Sequence, residues 1–356
     1  MSPYHIQKAL SLLLLMICLC SAEQEKFLRG GNQSNSTSIE SQEFSLLTSL
    51  SQRMKPQPIL YNTSTSQPLT HQFYHLHHMK SGGTSLSSWI RCGSSRADPH
   101  IPTASLSECS QNFYKMCLSE NKCRERFDTS SLMNYCSPLA VVNYFGWNNH
   151  TDDATASTTR TRAVTMMRHP VHRVWSMFRF QTKSCFKCKN LTQVYRDIDE
   201  GNTEEYGSGV CLPQLQNHIT RNLQKNINVH ELDQIELSDE ERVKDAIDSI
   251  QNSFTVVGVI ERLQETIELM SYSFPWLAEE IEGSDKTCPF PHSNGSPSNN
   301  RCLNGKHWHL PDEPDEETRK AIEEHNQLDI MVYEAALQHF ELQKVAMVMD
   351  DTEDME

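Results

Sequence analysis

Short apolar runs of strand length recur along the chain, each followed by a polar break and then by apolar residues at helical spacing. Phe73 to Leu76 passes into Lys80-Ser81-Gly82-Gly83-Thr84, after which Leu86, Trp89 and Ile90 mark a helix. Ala163 to Met167, interrupted only by Thr165, passes into Arg168-His169-Pro170, and Pro170 has the fixed φ that suits a first helical turn. Ser238-Asp239-Glu240-Glu241 is a capping box with the stripe Val243, Ala246, Ile247 and Ile250 behind it. Phe254 to Ile260 then reads as a buried parallel strand, and Glu261 at its end opens a helix through Leu263, Ile267 and Met270. Leu328, Met331, Val332, Ala335 and Ala336 give a long amphipathic helix. Strands separated by helices predict an α/β fold, a parallel sheet flanked by helices on both faces.

Two of the polar breaks carry chemistry. Adjacent glycines at Gly82 and Gly83 let the backbone turn its N–H groups toward an anion, the next helix adds a positive dipole end, and Lys80 adds a point charge. This is not the Walker order, in which the lysine follows the second glycine and the next hydroxyl holds magnesium. In the second break, Arg168 sits at a strand's carboxyl end and Ser176 lies within the second turn of the following helix. A guanidinium fork and a hydroxyl together suit a phosphate monoester. The bland alternatives are a Gly-Gly connector, a surface arginine pair and a buried helix hydroxyl.

Lys80 to Ser85 (KSGGTS) resembles the 5′-phosphosulfate loop of PAPS-dependent sulfotransferases of the Golgi carbohydrate branch, and Arg168 to Phe178 (RHPVHRVWSMF) resembles that family's 3′-phosphate motif. The likeness extends over Phe73 to Phe340, through Gln214-Leu215-Gln216-Asn217, Phe254 to Glu261 and Asn326 to Phe340, and is nearest to heparan sulfate 2-O- and 6-O-type enzymes. It implies a P-loop-like sheet and PAPS as co-substrate, with no metal. Lys80 would contact the phosphosulfate and its bridging oxygen, and Ser81, Gly82, Gly83, Thr84 and Ser85 would wrap the same phosphate. Arg168 and Ser176 would hold the 3′-phosphate, Arg173 would be a structural or ion-pairing residue, and Lys306 would lie in a loop over the nucleotide. A histidine between the two motifs serves as general base in such relatives. His150 holds that place here, though Gly146 is not beside it and Asn149 begins a sequon; Glu261 and Asp152 are the substitutes.

Composition then narrows the setting. With 356 residues, 37% of them hydrophobic, the chain can build one large α/β domain, and a formal charge of −14 excludes a general nucleic-acid binder. Residues 1 to 22 read as a targeting segment: Lys8, an apolar run from Ala9 to Cys20, then Cys20-Ser21-Ala22 as a cleavage site. About fourteen helical residues there rise only about 21 Å, which favours cleavage, whereas the family resemblance favours an uncleaved signal anchor. Residues 23 to 70 form a polar stem expected to be disordered, 71 to 345 the catalytic domain, and 346 to 356 an acidic tail also expected to be disordered.

Sequons at Asn32, Asn35, Asn62, Asn149, Asn190 and Asn294 fit a lumenal chain. Ten cysteines remain beyond Cys18 and Cys20, an even number that predicts disulfides in an oxidising compartment. Cys109, Cys117, Cys123 and Cys136 would staple the insert spanning 92 to 136; Cys185, Cys188, Cys211 and Cys92 form a second group, and Cys288 with Cys302 a third. Cys185-x-x-Cys188 also admits a zinc knuckle or redox motif, and His75, His77 and His78 a metal set, against a plain reading as strand alternation.

Three functions stand at this stage. One is a sulfotransferase of the Golgi lumen, membrane-held or soluble, acting on a glycan or glycoprotein hydroxyl. The second is the same fold acting on protein tyrosine. The third is a P-loop kinase-like protein or a non-catalytic nucleotide binder, although neither the Walker order nor a clear acidic strand end for magnesium is present.

Overall fold

The computed structural model describes residues 36–56, 71–78, 80–97, 139–143, 160–181, 185–206, 211–224, 237–280, 287–291 and 310–353. The chain divides into two compact units, Pro56–His339 and a second made of Met1–Lys55 with Phe340–Glu356.

The larger unit is α/β. Strands β1 (His71–His77), β2 (Leu139–Asn143), β3 (Arg160–Met167) and β4 (Val256–Val259) form one sheet in the order β2-β1-β3-β4, every pair parallel. Leu76 stands opposite Val142 on one side and Thr165 on the other, and Met167 opposite Val259, so the carboxyl ends of the strands are level. Ala163 to Met167 and Val256 to Val259 are buried without a break, so both faces of the sheet are covered. Thr165, the polar interruption in the β3 run, donates its hydroxyl to the Leu76 carbonyl at 3.0 Å. From β1 the chain leaves through α1 (Gly83–Ala97) toward β2, on one side. From β3 it leaves through α2 (Pro170–Gln181) and later helices toward β4, on the other. The two departures diverge between β1 and β3, and that divergence is a topological switch point.

Helix α2 supplies one wall of the core. Val171, Val174, Trp175 and Phe178 pack with Phe186, with Leu191, Val194 and Tyr195 of α3 (Leu191–Asp199), and with Ile322 of α6 (Glu316–His325). The sequon residue Asn190 caps α3, its side chain accepting from Gln193 N at 2.7 Å. The predicted capping box is present: Ser238 caps α5 (Asp239–Ser253), which follows the short α4 (His218–Leu223), and Glu241 accepts from the Ser238 N–H at 2.8 Å.

Two cysteine expectations need correcting. Cys288 pairs with Cys92, 196 residues away and with Cα atoms 5.6 Å apart, so neither the Cys288–Cys302 pairing nor a place for Cys92 beside Cys185 holds. Docking of residues 287–290 on α1 decides this, because Trp89 Nε1 donates to the Cys288 carbonyl at 2.9 Å and its ring meets Phe290 edge-on. Cys185 bonds Cys211 and Cys188 is likewise in a disulfide, which leaves no thiolate pair for a zinc knuckle. Cys109, Cys117, Cys123, Cys136 and Cys302 lie outside the described residues.

The smaller unit holds a helix, α0 (Ser36–Met54), and the end of α8 (Gln327–Glu353), which follows α7 (Leu263–Ser273) and α6 in the chain. Both were expected to be disordered. Leu47, Leu50 and Met54 recur at helical spacing and are buried, a stripe hidden by the surrounding serine, threonine and glutamine. Helix α8 carries the acidic tail through Glu353. Among the described residues no helix is long and apolar enough to cross a membrane.

Candidate functional site

At the carboxyl end of β1 the chain turns through two left-handed residues, Lys80 (φ 65°) and Gly82 (φ 77°). Gly82 is required twice over. Its φ favours glycine, and a Cβ there would stand 2.7 Å from Ile260 Cδ1. Its carbonyl accepts the first helical bond, from Leu86 N at 3.1 Å, so α1 begins directly on the glycine pair and directs its first-turn N–H groups back toward the strand ends. Lys80 has a side chain and still adopts φ 65°, at a cost of about 1 kcal/mol or more.

Arg168 secures that turn. At the end of β3, one strand away, it donates Nη1 to the Lys80 carbonyl at 3.0 Å across 88 residues of sequence. The two breaks picked out in the sequence are therefore one site, at the switch point. Lys80 Nζ lies 4.4 Å from the ring centroid of Phe180, which is 49% exposed on α2. Ser176 is one turn before Phe180 on that helix and half-buried.

Three cations, Lys80, Arg168 and Arg179, crowd here, with Glu261 and Glu313 acting on Arg168. Burial, and then Arg168 and Arg179, hold the Lys80 ammonium below its ordinary pKa. Arg179 pairs with Asp312 at 3.0 Å in an exposed contact, while no carboxylate is paired with Lys80 among the described residues. Ser81 is fully buried, its N–H bonded to the His78 carbonyl at 3.2 Å, and its hydroxyl has no partner among the described residues. A buried hydroxyl without a partner costs about 1–3 kcal/mol, and it lies within the loop that turns toward the cations. Thr84 is exposed at the helix start, and Ser85 is buried one turn in.

Arg173 belongs elsewhere. It is fully buried, donates Nη2 to the Gln214 carbonyl at 3.0 Å and pairs with Asp329 of α8 at 3.6 Å. Asp329 in turn accepts from Ile219 N at 3.0 Å and from Thr220 N and Oγ1 at 2.8 Å each, closing the start of α4. Asn217 and Asn326 extend this framework, Asn217 N donating to Asn326 Oδ1 at 3.0 Å and Asn217 Oδ1 accepting from Leu328 N at 3.1 Å. The segments 214–217 and 326–329 thus buttress α2 through Arg173.

Both oxygens of Glu261 are engaged, Oε1 by His169 N at 2.9 Å and Oε2 by the Tyr333 hydroxyl at 3.2 Å. His172 Nδ1 lies 3.2 Å from Glu313, and Trp175 Nε1 donates to the Pro311 carbonyl at 3.1 Å, so residues 310–313 run along α2 beside the site. His150, Asp152 and Lys306 lie outside the described residues. Sequence reasoning missed Arg179 and Phe180. Their signal is helical spacing, three and four residues beyond Ser176 on one face of α2.

No family model and no curated protein matches the chain.

Proposed function

We propose that the protein is a sulfotransferase of P-loop-like fold, transferring the sulfuryl group of PAPS to a carbohydrate hydroxyl in the secretory pathway. The observation that carries this reading is the 3.0 Å hydrogen bond from Arg168 to the Lys80 carbonyl, which joins two anion-binding elements at one switch point. A single phosphate needs only one of them. A nucleotide with phosphates at both its 5′ and 3′ positions engages both, the 5′ end at Lys80 and residues 81–85 and the 3′ end at Arg168 and Ser176. The Ser81 hydroxyl, with no partner among the described residues, and the Lys80 ammonium, crowded by Arg168 and Arg179, are what an anion would satisfy.

In the reaction the acceptor oxygen forms a bond to sulfur as the bond from sulfur to the 5′-phosphate oxygen breaks, and the acceptor's proton passes to a base. Lys80 neutralises charge growing on the departing phosphate, so positioning and electrostatics carry most of the rate. His150 is the proposed base. Glu261 suits that part less well, since both of its oxygens already accept hydrogen bonds. The disulfides Cys92–Cys288 and Cys185–Cys211 support an oxidising compartment, in keeping with the Golgi lumen.

The test is transfer of labelled sulfate from PAPS, against labelled phosphate from ATP, onto a panel of glycans and tyrosine peptides. Sulfate on a glycan is the expected product. Sulfate on tyrosine peptides alone overturns the acceptor class, and phosphate from ATP overturns the reading altogether.

A further inference from the structure

We infer that Glu261 is a positioning residue that aims the Arg168 guanidinium, and so sets how strongly the site prefers a nucleotide bearing a 3′-phosphate over one without; this rests on the sulfotransferase reading. Glu261 stands just past the end of β4, level with the end of β3, and its Oε1 accepts the backbone N–H of His169 at 2.9 Å. That N–H belongs to the same planar peptide as the Arg168 carbonyl. Holding it fixes the backbone torsion from which the Arg168 side chain leaves the strand.

His169 is braced on its other sides as well. Its Nδ1 accepts from Val171 N at 3.3 Å, and its ring meets Tyr333 edge-on at 5.2 Å. The Tyr333 hydroxyl donates to Glu261 Oε2 at 3.2 Å, so tyrosine, glutamate and histidine form a closed clamp around the β3–α2 turn. From that turn Arg168 reaches the Lys80 carbonyl at 3.0 Å. A continuous series of contacts therefore runs from α8 through Glu261 and His169 to Arg168 and the lysine turn. A carboxylate beside an anion site repels the anion in general. Its place here is accounted for by what it holds.

The test is calorimetric binding of 3′-phosphoadenosine 5′-phosphate and of adenosine 5′-phosphate to the full chain, read as the ratio of the two affinities. Removing the carboxylate's charge by itself raises the ratio, because it lessens repulsion of the extra phosphate, so a fall in the ratio reports on positioning and not on charge. Glu261→Ala is expected to lower the ratio about tenfold, and Tyr333→Phe about threefold, on the scale of charge-assisted hydrogen bonds and of the partners that orient them. Glu261→Gln keeps an amide oxygen for the His169 N–H and is expected to hold the ratio within about twofold of the parent. The inference is overturned if Glu261→Ala keeps the parent ratio, or if Glu261→Gln falls as far as Glu261→Ala. Should Glu261→Ala fail to give a cooperative thermal melt, Tyr333→Phe decides, an unchanged ratio there being the overturning result. A parent chain that shows no preference for the 3′-phosphorylated nucleotide overturns the sulfotransferase reading and this inference together. A preference equal in the parent and every variant overturns this inference alone.

Discussion

Two lysines in this protein each lie over an aromatic ring, and they are otherwise opposites. Lys189 sits 5.2 Å from the Tyr206 ring centroid and is met by the carboxylates of Asp197, at 2.9 Å, and Glu205. Hydrogen bonds to Glu205 and then Asp197 raise its pKa. Lys80 sits 4.4 Å from the Phe180 centroid, and burial together with Arg168 and Arg179 lowers its pKa. The first lysine closes a local charge balance and ties residue 189 to α3 and the turn after it. The second leaves a balance open. The arginines differ as well, Arg173 paired with Asp329 inside the core and Arg168 hydrogen-bonded to a backbone carbonyl, with Glu261 and Glu313 acting on it only through space. An open balance in a chain of net charge −14 is what the proposed anion site would use.

The comparison breaks hardest where a closed balance is opened. Asp329→Ala leaves Arg173 buried without its carboxylate and strips the N–H groups of Ile219 and Thr220 of their acceptor. The expected loss is about 3–5 kcal/mol in urea unfolding. Lys80→Ala is expected to do the reverse. Affinity for 3′-phosphoadenosine 5′-phosphate falls about 10- to 100-fold by calorimetry, and thermal stability holds or rises. Loss of the fold in Lys80→Ala would show that this lysine, too, is structural.

Ser81→Ala sharpens the same contrast on a smaller scale. The hydroxyl has no partner to lose among the described residues, so stability is expected to hold or improve while nucleotide affinity falls about fivefold. The smallest effect is in pH. Hydrogen bonds from Tyr206, then Lys189 and Gln193, depress Asp197 from 3.8 to about 2. A depressed carboxylate contributes stability that is present above its unfolded pKa and is lost as pH falls through the folded one. The urea midpoint is therefore expected to drop between about pH 4 and pH 2 in the parent, and to drop less in Asp197→Asn.

Much of the sheet unit is legible in the sequence because its strands are uninterrupted apolar runs and its helices begin on strong signals, Pro170 and the Ser238 capping box. The two anion loops are legible for the same reason, each being a polar break directly after such a run. Their meeting is not, since adjacency of β1 and β3 depends on strand order and no local pattern records it. The Cys92–Cys288 bond is illegible in the same way, resting on where Trp89 finds a carbonyl. Helix α0 escaped because its apolar stripe is narrow and its composition is that of a linker. Arg173 is half legible. The motif includes it, but its partner Asp329 lies far along the chain.

Asn326, which caps the preceding helix, and Asp329 and Tyr333 of α8 shut the framework behind α2 and complete the clamp on Glu261. All three lie far along the sequence from residues 80–85 and 168–176. The arrangement at the strand ends is thus hostage to a helix that adds no strand to the sheet, and damage there would be felt at a distance.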